Sequence, residues 1–302
     1  MSKTSLDYLA KKVSDRVELE VLKLGIQYRI FHRSKDLNSI KEKIERKEIE
    51  GSPYSLEGKK IRDIIGIRIV TYFQDDIPLV ISVVNKTIEK LEQEIDPTEL
   101  TVFRPKRTNI TYSLNREEAN LLSEAISINL DQVYKLADNT FELQLRTVLS
   151  EGWYEIDHNL RYKCQSDWDP YNEQQRMLNG IYASLETNDI AMKNLFNELA
   201  YQHFKAKNWE GLMRTKFRIR FKLSSLNDQI ISILDNNIRL GKSIIKLDRQ
   251  EMLLELAKFN NNIPLTLSNF FYLINYCFLK EPEINEITPT ELVDLFDKFY
   301  EK

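Results

Sequence analysis

The sequence predicts an α+β fold, with a small mixed β-sheet flanked by helices and a helical C-terminal extension. The chain has 302 residues, of which 42% are hydrophobic, enough to bury a core in one large domain or in two smaller ones. Glycine and proline are scarce, at 8 each, so tight turns are few and helices dominate. Candidate elements follow in the order helix, strand, helix, strand, strand, helix, and then helices. This order is typical of a small sheet with a helical appendage.

The first part of the chain leads from a helix to a buried strand. Apolar residues recur at helical spacing over residues 5–24, an extended segment follows at 25–33, and a charged helix is predicted over 36–49. Residues 64–72, IIGIRIVTY, are almost continuously apolar and rich in β-branched side chains, which indicates a buried strand. A helix is predicted to follow over 76–94.

The middle of the chain supplies the remaining strands. Residues 98–114 are predicted to form a strand, a loop and a second strand, and residues 115–126 a polar helix. Over residues 139–147 polar and apolar side chains alternate, which is the period of a β-strand, and helical spacing begins after it. We place a domain boundary near residue 206, with a core domain over 1–206 and a mainly helical region over 207–302.

Composition and charge argue against several classes of protein. The formal net charge is −3, so the chain as a whole is not drawn to nucleic acid or to a membrane surface. The two cysteines, Cys164 and Cys277, form neither a metal-ligand spacing nor a disulfide framework, as expected in a reducing compartment. The charged N-terminus is not a signal peptide, and the apolar stretch 263–279 is short and interrupted by polar residues. We therefore expect a cytoplasmic protein without a membrane span.

Two of the predicted strands carry an acid beside an arginine. Asp63 precedes the strand that contains Arg68, and Glu142 lies in the strand that contains Arg146. If these strands are neighbours, Asp63 and Glu142 can converge on Mg²⁺, which proteins hold with one or two carboxylates and substrate phosphates. Nearby arginines would bind phosphate oxygens. The alternative is that these charges simply face solvent at the strand ends.

A third segment adds basic residues in one loop and one helix. Its bases and its serine are Arg33, Lys35, Ser39, Lys43, Arg46 and Lys47. Ser39 is predicted in the first turn of the helix, where free N–H groups attract phosphate, and Lys43 lies one turn further on the same face. Glutamates alternate with these bases, so a solvated helix is the alternative interpretation.

In combination, these motifs resemble the synthetase domain of the RelA/SpoT family, the pyrophosphokinases that make the alarmones (p)ppGpp. The motifs are R-x-K-x-x-x-S-I-x-x-K (33–43), R-D-I-I-G-I-R-I (62–69) and E-L-Q-L-R-T with W-x-E-I-x-H-x-x-x-Y-K (142–163). The resemblance covers roughly residues 20–165. It implies a nucleotidyltransferase-like synthetase core with Mg²⁺ as cofactor.

The resemblance also assigns roles to residues of this sequence. Asp63 matches the metal-binding acid, and Glu142 matches the catalytic glutamate, which contacts Mg²⁺ and acts as base toward the acceptor hydroxyl. The positions implied for ATP binding are Arg33, Lys35, Ser39, Lys43, Arg46 and Arg68. The positions implied for acceptor binding are Lys106, Tyr112, Gln144, Arg146, His158 and Lys163. The implied reaction is in-line attack of a nucleotide 3′-hydroxyl on the β-phosphorus of ATP, with release of AMP.

One segment departs from the family pattern. Where the family has P-K-x-x-G-Y-x-S-L-H, this chain reads RPKRTNITYSLN, with Ile110 at the glycine, Thr111 at the tyrosine and Asn115 at the histidine position. The family tyrosine stacks on the acceptor guanine. Tyr112 is displaced by one residue, which on a strand turns the ring to the opposite face.

Three interpretations of this departure stay open. The chain pyrophosphorylates GDP or GTP in a rebuilt pocket, it uses another acceptor such as an adenine nucleotide or the 3′ end of tRNA, as toxic members do, or it has lost catalysis and serves as a binding or regulatory module. No hydrolase signature of the HD type is visible upstream. A homo-oligomer and a neutralising partner protein are further possibilities.

A basic segment in the C-terminal third carries a separate prediction. In residues 214–222, RTKFRIRFK, five bases alternate with other residues, which as a strand would give one basic and one apolar face. The bases are Arg214, Lys216, Arg218, Arg220 and Lys222. We consider a contact with RNA, against the alternative that the stems of these side chains cover a core.

Overall fold

The computed structural model describes residues 2–95, 108–128, 131–259 and 262–300. Its strands are Tyr28–Ser34 (β1), Ile65–Thr71 (β2), Lys90–Ile95 (β3), Thr108–Ser113 (β4) and Thr140–Thr147 (β5). Its helices are Ser2–Leu22 (α1), Leu37–Ile49 (α2), Ile77–Thr87 (α3), Arg116–Ile128 (α4), Val148–Ile156 (α5), Gln165–Trp168 (α6), Asn172–Lys205 (α7), Trp209–Phe217 (α8), Asp228–Asn236 (α9), Ile238–Lys246 (α10), Arg249–Leu256 (α11), Leu267–Ile274 (α12), Pro282–Ile287 (α13) and Thr290–Tyr300 (α14).

The strands form one mixed sheet in the order β1-β2-β5-β4-β3. β2 and β5 pair in parallel, whereas β1–β2, β5–β4 and β4–β3 are antiparallel. The predicted α+β class with a mixed sheet is confirmed. The two strands that carry the predicted acids are neighbours, as the metal hypothesis requires, and Gly66 of β2 lies opposite Glu142 of β5.

Strand β5 shows why the sheet has one polar face. Phe141, Leu143 and Leu145 are buried, while Glu142 and Gln144 between them stay partly exposed. Because successive side chains of a strand point to opposite faces, the three apolar residues anchor one face in the core and leave the polar pair on the other.

Local capping sets where the helices beside this face begin and end. The Asp36 carboxylate accepts a hydrogen bond from the Ser39 N–H at 3.0 Å and so starts α2. Gly51, with φ +72°, follows the end of α2 in the left-handed conformation that glycine adopts without strain. At the junction of β5 and α5, Thr147 and Ser150 form a reciprocal capping box, so the chain turns directly from strand into helix.

The helix predicted over 76–94 is partly wrong. α3 ends at Thr87, and residues 90–95 form the edge strand β3. KLEQE favours a helix on intrinsic propensity alone, but here its backbone hydrogen bonds go to β4, with Glu92 opposite Thr111 and Glu94 opposite Asn109. Tertiary pairing therefore overrides a weak local preference. Of the predicted elements in 98–114, residues 98–107 lie outside the described part of the chain, and the second strand is β4.

The chain divides into two compact units. The first comprises Met1–Leu19, Tyr28–Tyr72 and Val84–Thr187 and contains the sheet described above. The second comprises Glu20–Gln27, Phe73–Val83 and Asn188–Lys302 and is mainly helical. The division falls inside α7, whereas the sequence suggested a boundary near residue 206.

The prediction of a basic strand over 214–222 is wrong. α8 continues to Phe217, and Arg218 follows in the left-handed conformation with φ 50°. The Arg218 guanidinium is buried, donates to the Asp75 carboxylate at 2.6 Å and lies over the Phe73 ring. Arg218 therefore neutralises an acid of its own unit and does not share a basic face with its neighbours. In the described residues, no helix combines the length and the apolar character that crossing a membrane requires.

Candidate functional site

An aspartate held by two lysines lies at the start of β2. The Asp63 Oδ2 atom accepts from the Lys35 ammonium at 2.6 Å and from the Lys43 ammonium at 2.7 Å. Lys35 follows β1, whose backbone it extends by donating its N–H to the Ile64 carbonyl at 2.8 Å. Lys43 comes from the second turn of α2. The structure thus brings together three residues that the motifs had assigned to the donor and metal site.

Charge and burial oppose each other in this cluster. Burial raises the pKa of Asp63, but the adjacent charges of Lys35 and Lys43 outweigh it, so the pKa of Asp63 lies below its usual value. Burial dominates for Lys35 and lowers its pKa, whereas the Asp63 charge outweighs burial for Lys43 and raises its pKa. Glu142 also acts on both lysines through its charge, which places the second predicted acid close to the cluster.

Glu142 is held by its own strand and by the neighbouring one. The Gln144 Nε2 amide donates to Glu142 Oε1 at 2.6 Å, and the Arg68 Nε donates to Gln144 Oε1 at 3.1 Å. Arg68 lies directly opposite Gln144 in the parallel pair, so these contacts follow from the register of β2 and β5. The far side of Arg68 is bonded to two acids of α5, Glu151 and Glu155.

A basic pocket of about 250 Å³ lies beside the cluster. It is lined by Arg33, Ser34, Lys35, Asp36, Ser39, Glu42, Lys43, Arg46, His158, Tyr162 and Lys163. Five of the six residues that the motifs assigned to ATP line it, together with the predicted acceptor residues His158 and Lys163. These bases outnumber the acids of the pocket, so it is suited to a polyanion.

Ser39 lines this pocket, but its hydrogen-bonding groups are not free as the sequence predicted. Its N–H and its hydroxyl both bond to the Asp36 carboxylate, at 3.0 and 2.6 Å. The first turn of α2 is therefore already capped by an acid. A phosphate could use the Ser39 groups only by displacing Asp36.

Tyr162 is a pocket residue to which the motifs gave no role. Its hydroxyl accepts from the Arg46 guanidinium at 2.7 Å, and its ring lies parallel to His158 with 6.0 Å between centroids. Partial burial and the charges of Lys163 and Arg33 lower the pKa of His158, so its imidazole is neutral near pH 7. The tyrosine lies in the Y-K pair of the third motif, which is the sequence feature that pointed to it.

A second pocket, of about 280 Å³, shares Arg33 with the basic pocket. Its lining is Phe31, His32, Arg33, Gly66, Ile67, Arg68, Gln144, Glu151 and Glu155. Arg68, the sixth predicted ATP residue, lies here with the predicted acceptor residue Gln144. Phe31 is half-exposed and offers an aromatic surface.

Two predicted acceptor residues are buried, and the predictions for them are wrong. Tyr112 has no exposed surface, stacks on Phe141 at 5.5 Å and donates its hydroxyl to Asn85 at 2.8 Å. The one-residue displacement has turned its ring into the core, on the face opposite Glu142. Arg146 is 7% exposed and lies under the Tyr154 ring at 4.1 Å, so it does not reach either pocket. Lys106 lies outside the described residues.

The three departed positions are all described, and Ile110 is buried in β4. Thr111 lies opposite Glu142 in the antiparallel pair of β4 and β5. Asn115 caps α4: its side chain accepts from the Glu118 N–H at 2.9 Å, and the Glu118 carboxylate accepts from the Asn115 N–H at 3.0 Å. Arg16 holds the same buried carboxylate through two hydrogen bonds. Asn115 is thus engaged in starting a helix.

The fit of these residues to a divalent cation rests on the two acids. Among the described residues, no group of three or more histidine, cysteine, aspartate or glutamate side chains is placed to hold a metal. Asp63 Oδ1 is nevertheless buried without a hydrogen-bond partner. A buried carboxylate oxygen in this situation is suited to coordinate a cation. A pair of carboxylates that is completed by phosphate oxygens is the usual protein share of a Mg²⁺ site, so the residues fit.

Comparisons with known proteins support the resemblance. The family model described as "Region found in RelA / SpoT proteins" matches residues 32–167. No curated protein matches the chain.

Several solved structures are similar to this chain over about two thirds of its length. The small alarmone synthetase 1 from Bacillus subtilis is 20% identical over 65% of this chain and 94% of its own, with a TM-score of 0.46. The small alarmone synthetase 2 from the same organism is 17% identical over 65% and 97%, with a TM-score of 0.47. A GTP pyrophosphokinase family protein from Streptococcus pneumoniae is 20% identical over 64% and 89%, with a TM-score of 0.45. At these identities and TM-scores, the solved structures carry no argument about the activity of this chain.

The matched segment and the site coincide. Residues 32–167 contain Asp63, Glu142, both lysines of the cluster and the whole lining of the basic pocket. They also contain β2, β4 and β5, which position the two acids. Residues 32–167 of this chain therefore form a domain of the RelA/SpoT family.

Proposed function

We propose that this domain is an ATP-dependent pyrophosphokinase that transfers the β,γ-diphosphate of ATP to the 3′-hydroxyl of a nucleotide acceptor. The observation that carries the proposal is the basic pocket, which joins Lys35 and Lys43 to Asp63 with Glu142 close by. A triphosphate needs several cations in one place, and transfer to a hydroxyl needs a base beside it. The family match supports the same reaction.

The pocket residues supply binding and charge. Lys35 and Lys43 present ammonium groups, and Arg46 a guanidinium, to a polyphosphate that enters the pocket. Their present bonds to Asp63 and Tyr162 would be exchanged for bonds to phosphate oxygens. Because Lys35 directly follows β1 and Lys43 and Arg46 lie on α2, a rigid frame fixes them before the substrate arrives, which lowers the entropy cost of the reaction.

Glu142 is the proposed general base. Its carboxylate is held on one oxygen by Gln144 and takes the proton of the attacking 3′-hydroxyl. General-base help of this kind is typically worth about 10²- to 10⁴-fold in rate. Asp63 and Glu142 would together hold Mg²⁺, which when bound supplies positive charge to the diphosphate that is transferred.

Two acceptors are candidates. GDP or GTP is the acceptor that the family suggests, in a pocket without the stacking tyrosine. The second candidate is an adenine nucleotide or the 3′ end of tRNA, and it is kept because one observation weakens the case for guanine. Thr111, opposite Glu142, has no ring on which to stack a guanine, and Tyr112 is buried on the other face.

The experiment is a screen with ATP labelled on its γ-phosphate and Mg²⁺, offered GDP, GTP, ADP, ATP or deacylated tRNA in separate reactions. Label is expected to move to one acceptor class and to stay on ATP in Asp63→Ala and Glu142→Gln. Glu94→Gln, which removes an exposed acid from edge strand β3, is the matched control and should transfer normally. Transfer that persists in both site variants would contradict the mechanism. Absence of transfer from the unmodified protein would favour the binding or regulatory alternative.

A further inference from the structure

We propose that Glu151 and Glu155 of α5 are positioning residues that orient the base Glu142 through Arg68 and Gln144. This chain of contacts is called the relay below. The inference rests on the proposed function for the role of Glu142, but the relay itself rests on contacts between described residues. It assigns a purpose to Glu151, at which no motif has a defined position, and to Glu155, which the third motif includes without a role.

The relay is continuous from helix to base. Arg68 Nη1 donates to Glu151 Oε1 at 2.7 Å and also contacts Glu155 Oε1. Its Nε donates to Gln144 Oε1 at 3.1 Å, and Gln144 Nε2 donates to Glu142 Oε1 at 2.6 Å. The guanidinium thus uses one edge for the α5 acids and another nitrogen for the amide.

The chemistry of the groups fixes the direction of every bond. A guanidinium can only donate hydrogen bonds and an ionised carboxylate can only accept them. The Gln144 amide, which both donates and accepts, is therefore held with its oxygen toward Arg68 and its nitrogen toward Glu142. An amide flip would place like partners together at both ends, so the orientation of Gln144 depends on Arg68.

The helix that carries the two acids is firmly attached. α5 begins at the Thr147–Ser150 capping box directly after β5, and its buried Trp153 donates its indole N–H to the Leu178 carbonyl at 2.8 Å. Its acids therefore return to the polar face of the same sheet that holds Glu142. Two acids on an anchored helix hold the Arg68 side chain, which is long and would otherwise be flexible, in one position.

The ion pairs of the relay persist at neutral pH. Burial lowers the pKa of Arg68, but hydrogen bonds to Glu155 and Glu151 outweigh it and raise the pKa. Burial raises the pKa of Glu155, but the bond to Arg68 outweighs it and lowers the pKa. The Arg68–Glu155 ion pair is therefore favoured in its charged form.

The first test observes the relay without any reaction. In a ¹H–¹⁵N correlation spectrum of the full chain, the side-chain amide signals of Gln144 are identified by their loss in Gln144→Leu. They are expected to shift in Glu155→Gln and further in the double variant Glu151→Gln/Glu155→Gln. The control Glu173→Gln, which removes an exposed acid from the first turn of α7, should leave them in place. Unchanged Gln144 signals in the double variant would overturn the relay.

The second test measures turnover as a double-mutant cycle. Replacing a residue that orients a metal ligand through hydrogen bonds typically lowers activity by about 10- to 100-fold. Glu142 is such a ligand in the proposed site. The double variant is expected to lose about tenfold in diphosphate transfer, and this loss should vanish in the Gln144→Leu background, because the route through Gln144 is already broken. Losses that multiply independently would mean that the α5 acids act by another route.

The two tests separate the relay from the function on which it rests. If the unmodified protein transfers label to no acceptor while the Gln144 signals shift as expected, the relay is supported and the proposed function is contradicted. Glu155→Gln is the safeguard against misfolding, since Glu155 is half-exposed and Glu151 still holds Arg68 in that variant.

Discussion

Replacing Asp63 by asparagine removes the one negative charge that lies between two lysines. Asp63→Asn keeps the size of the side chain, so packing changes little and the effect is electrostatic. The three side chains are 20–23% exposed, which places the cluster between a surface pair and a buried one. In the variant, Lys35 and Lys43 lose the carboxylate that both contact, and only the weaker effect of the Glu142 charge remains.

The expected loss of stability follows from this partial burial. Breaking a buried ion pair costs about 3–5 kcal/mol, and an exposed pair is worth about 0–1 kcal/mol. Two short hydrogen bonds from charged donors lose their ionised acceptor at an intermediate site, so we expect a decrease of about 1–3 kcal/mol in the free energy of unfolding at pH 7. The matched control is Asp15→Asn, which breaks an exposed pair with Lys11 one turn away and should cost less than about 0.5 kcal/mol.

The pH dependence of this difference has a definite sign. The pKa of Asp63 is lower in the folded protein than in the unfolded chain, where an aspartate titrates near about 3.9. Its contribution is therefore fully present above that pH and is lost as the pH falls through the lower, folded-state pKa. The gap between the parent and Asp63→Asn should be constant from about pH 5 to 7 and should close under more acidic conditions.

Urea unfolding, followed by circular dichroism at several pH values, measures the gap. A difference between Asp63→Asn and the parent no larger than that of Asp15→Asn at pH 7 would refute the reasoning. So would a gap that stays open below the folded-state pKa, since the carboxylate would then not be its source.

Other predictions concern residues that the structure places in the interior. Tyr112→Phe removes the hydrogen bond to Asn85 but keeps the aromatic stack on Phe141. It should destabilise the protein by about 1 kcal/mol in urea unfolding and leave the transfer rate unchanged. A large loss of acceptor affinity would mean that the ring contacts the substrate. Asp76→Ala removes the nearer of the two acids that face the buried Arg249 guanidinium, at 2.7 Å against 3.7 Å for Asp75, and should cost about 3–5 kcal/mol of unfolding free energy. Retention of full stability would show that water reaches this pair.

Much of the site could be predicted from the sequence because its residues follow local rules. The alternation in FELQLRT assigns Glu142 and Gln144 to one face before any pairing is known, since the side chains of a strand alternate. Lys35 follows β1 and Lys43 lies in the second turn of α2. The Asp36 cap fixes where α2 begins, and so fixes the position of Lys43 relative to Lys35. These positions depend on near neighbours in the chain.

The features that were missed depend on partners distant in sequence. Arg218 looks like one of several alternating bases, and only the position of Asp75 shows that it is a buried counter-ion. Likewise KLEQE becomes a strand because β4 pairs with it. The support that Glu151 and Glu155 give to Arg68 requires α5 to fold back over the sheet, which no spacing along the chain reveals.

The most direct test of the account is AMP release from ATP, measured with Mg²⁺ and the acceptor mixture for the parent and for Glu142→Gln. The account predicts one AMP for each labelled acceptor in the parent, and a decrease of about 10²-fold or more in Glu142→Gln with binding of a non-hydrolysable ATP analogue retained. Equal rates of AMP release in the two proteins would contradict the assignment of Glu142 as the base and, with it, the proposed site.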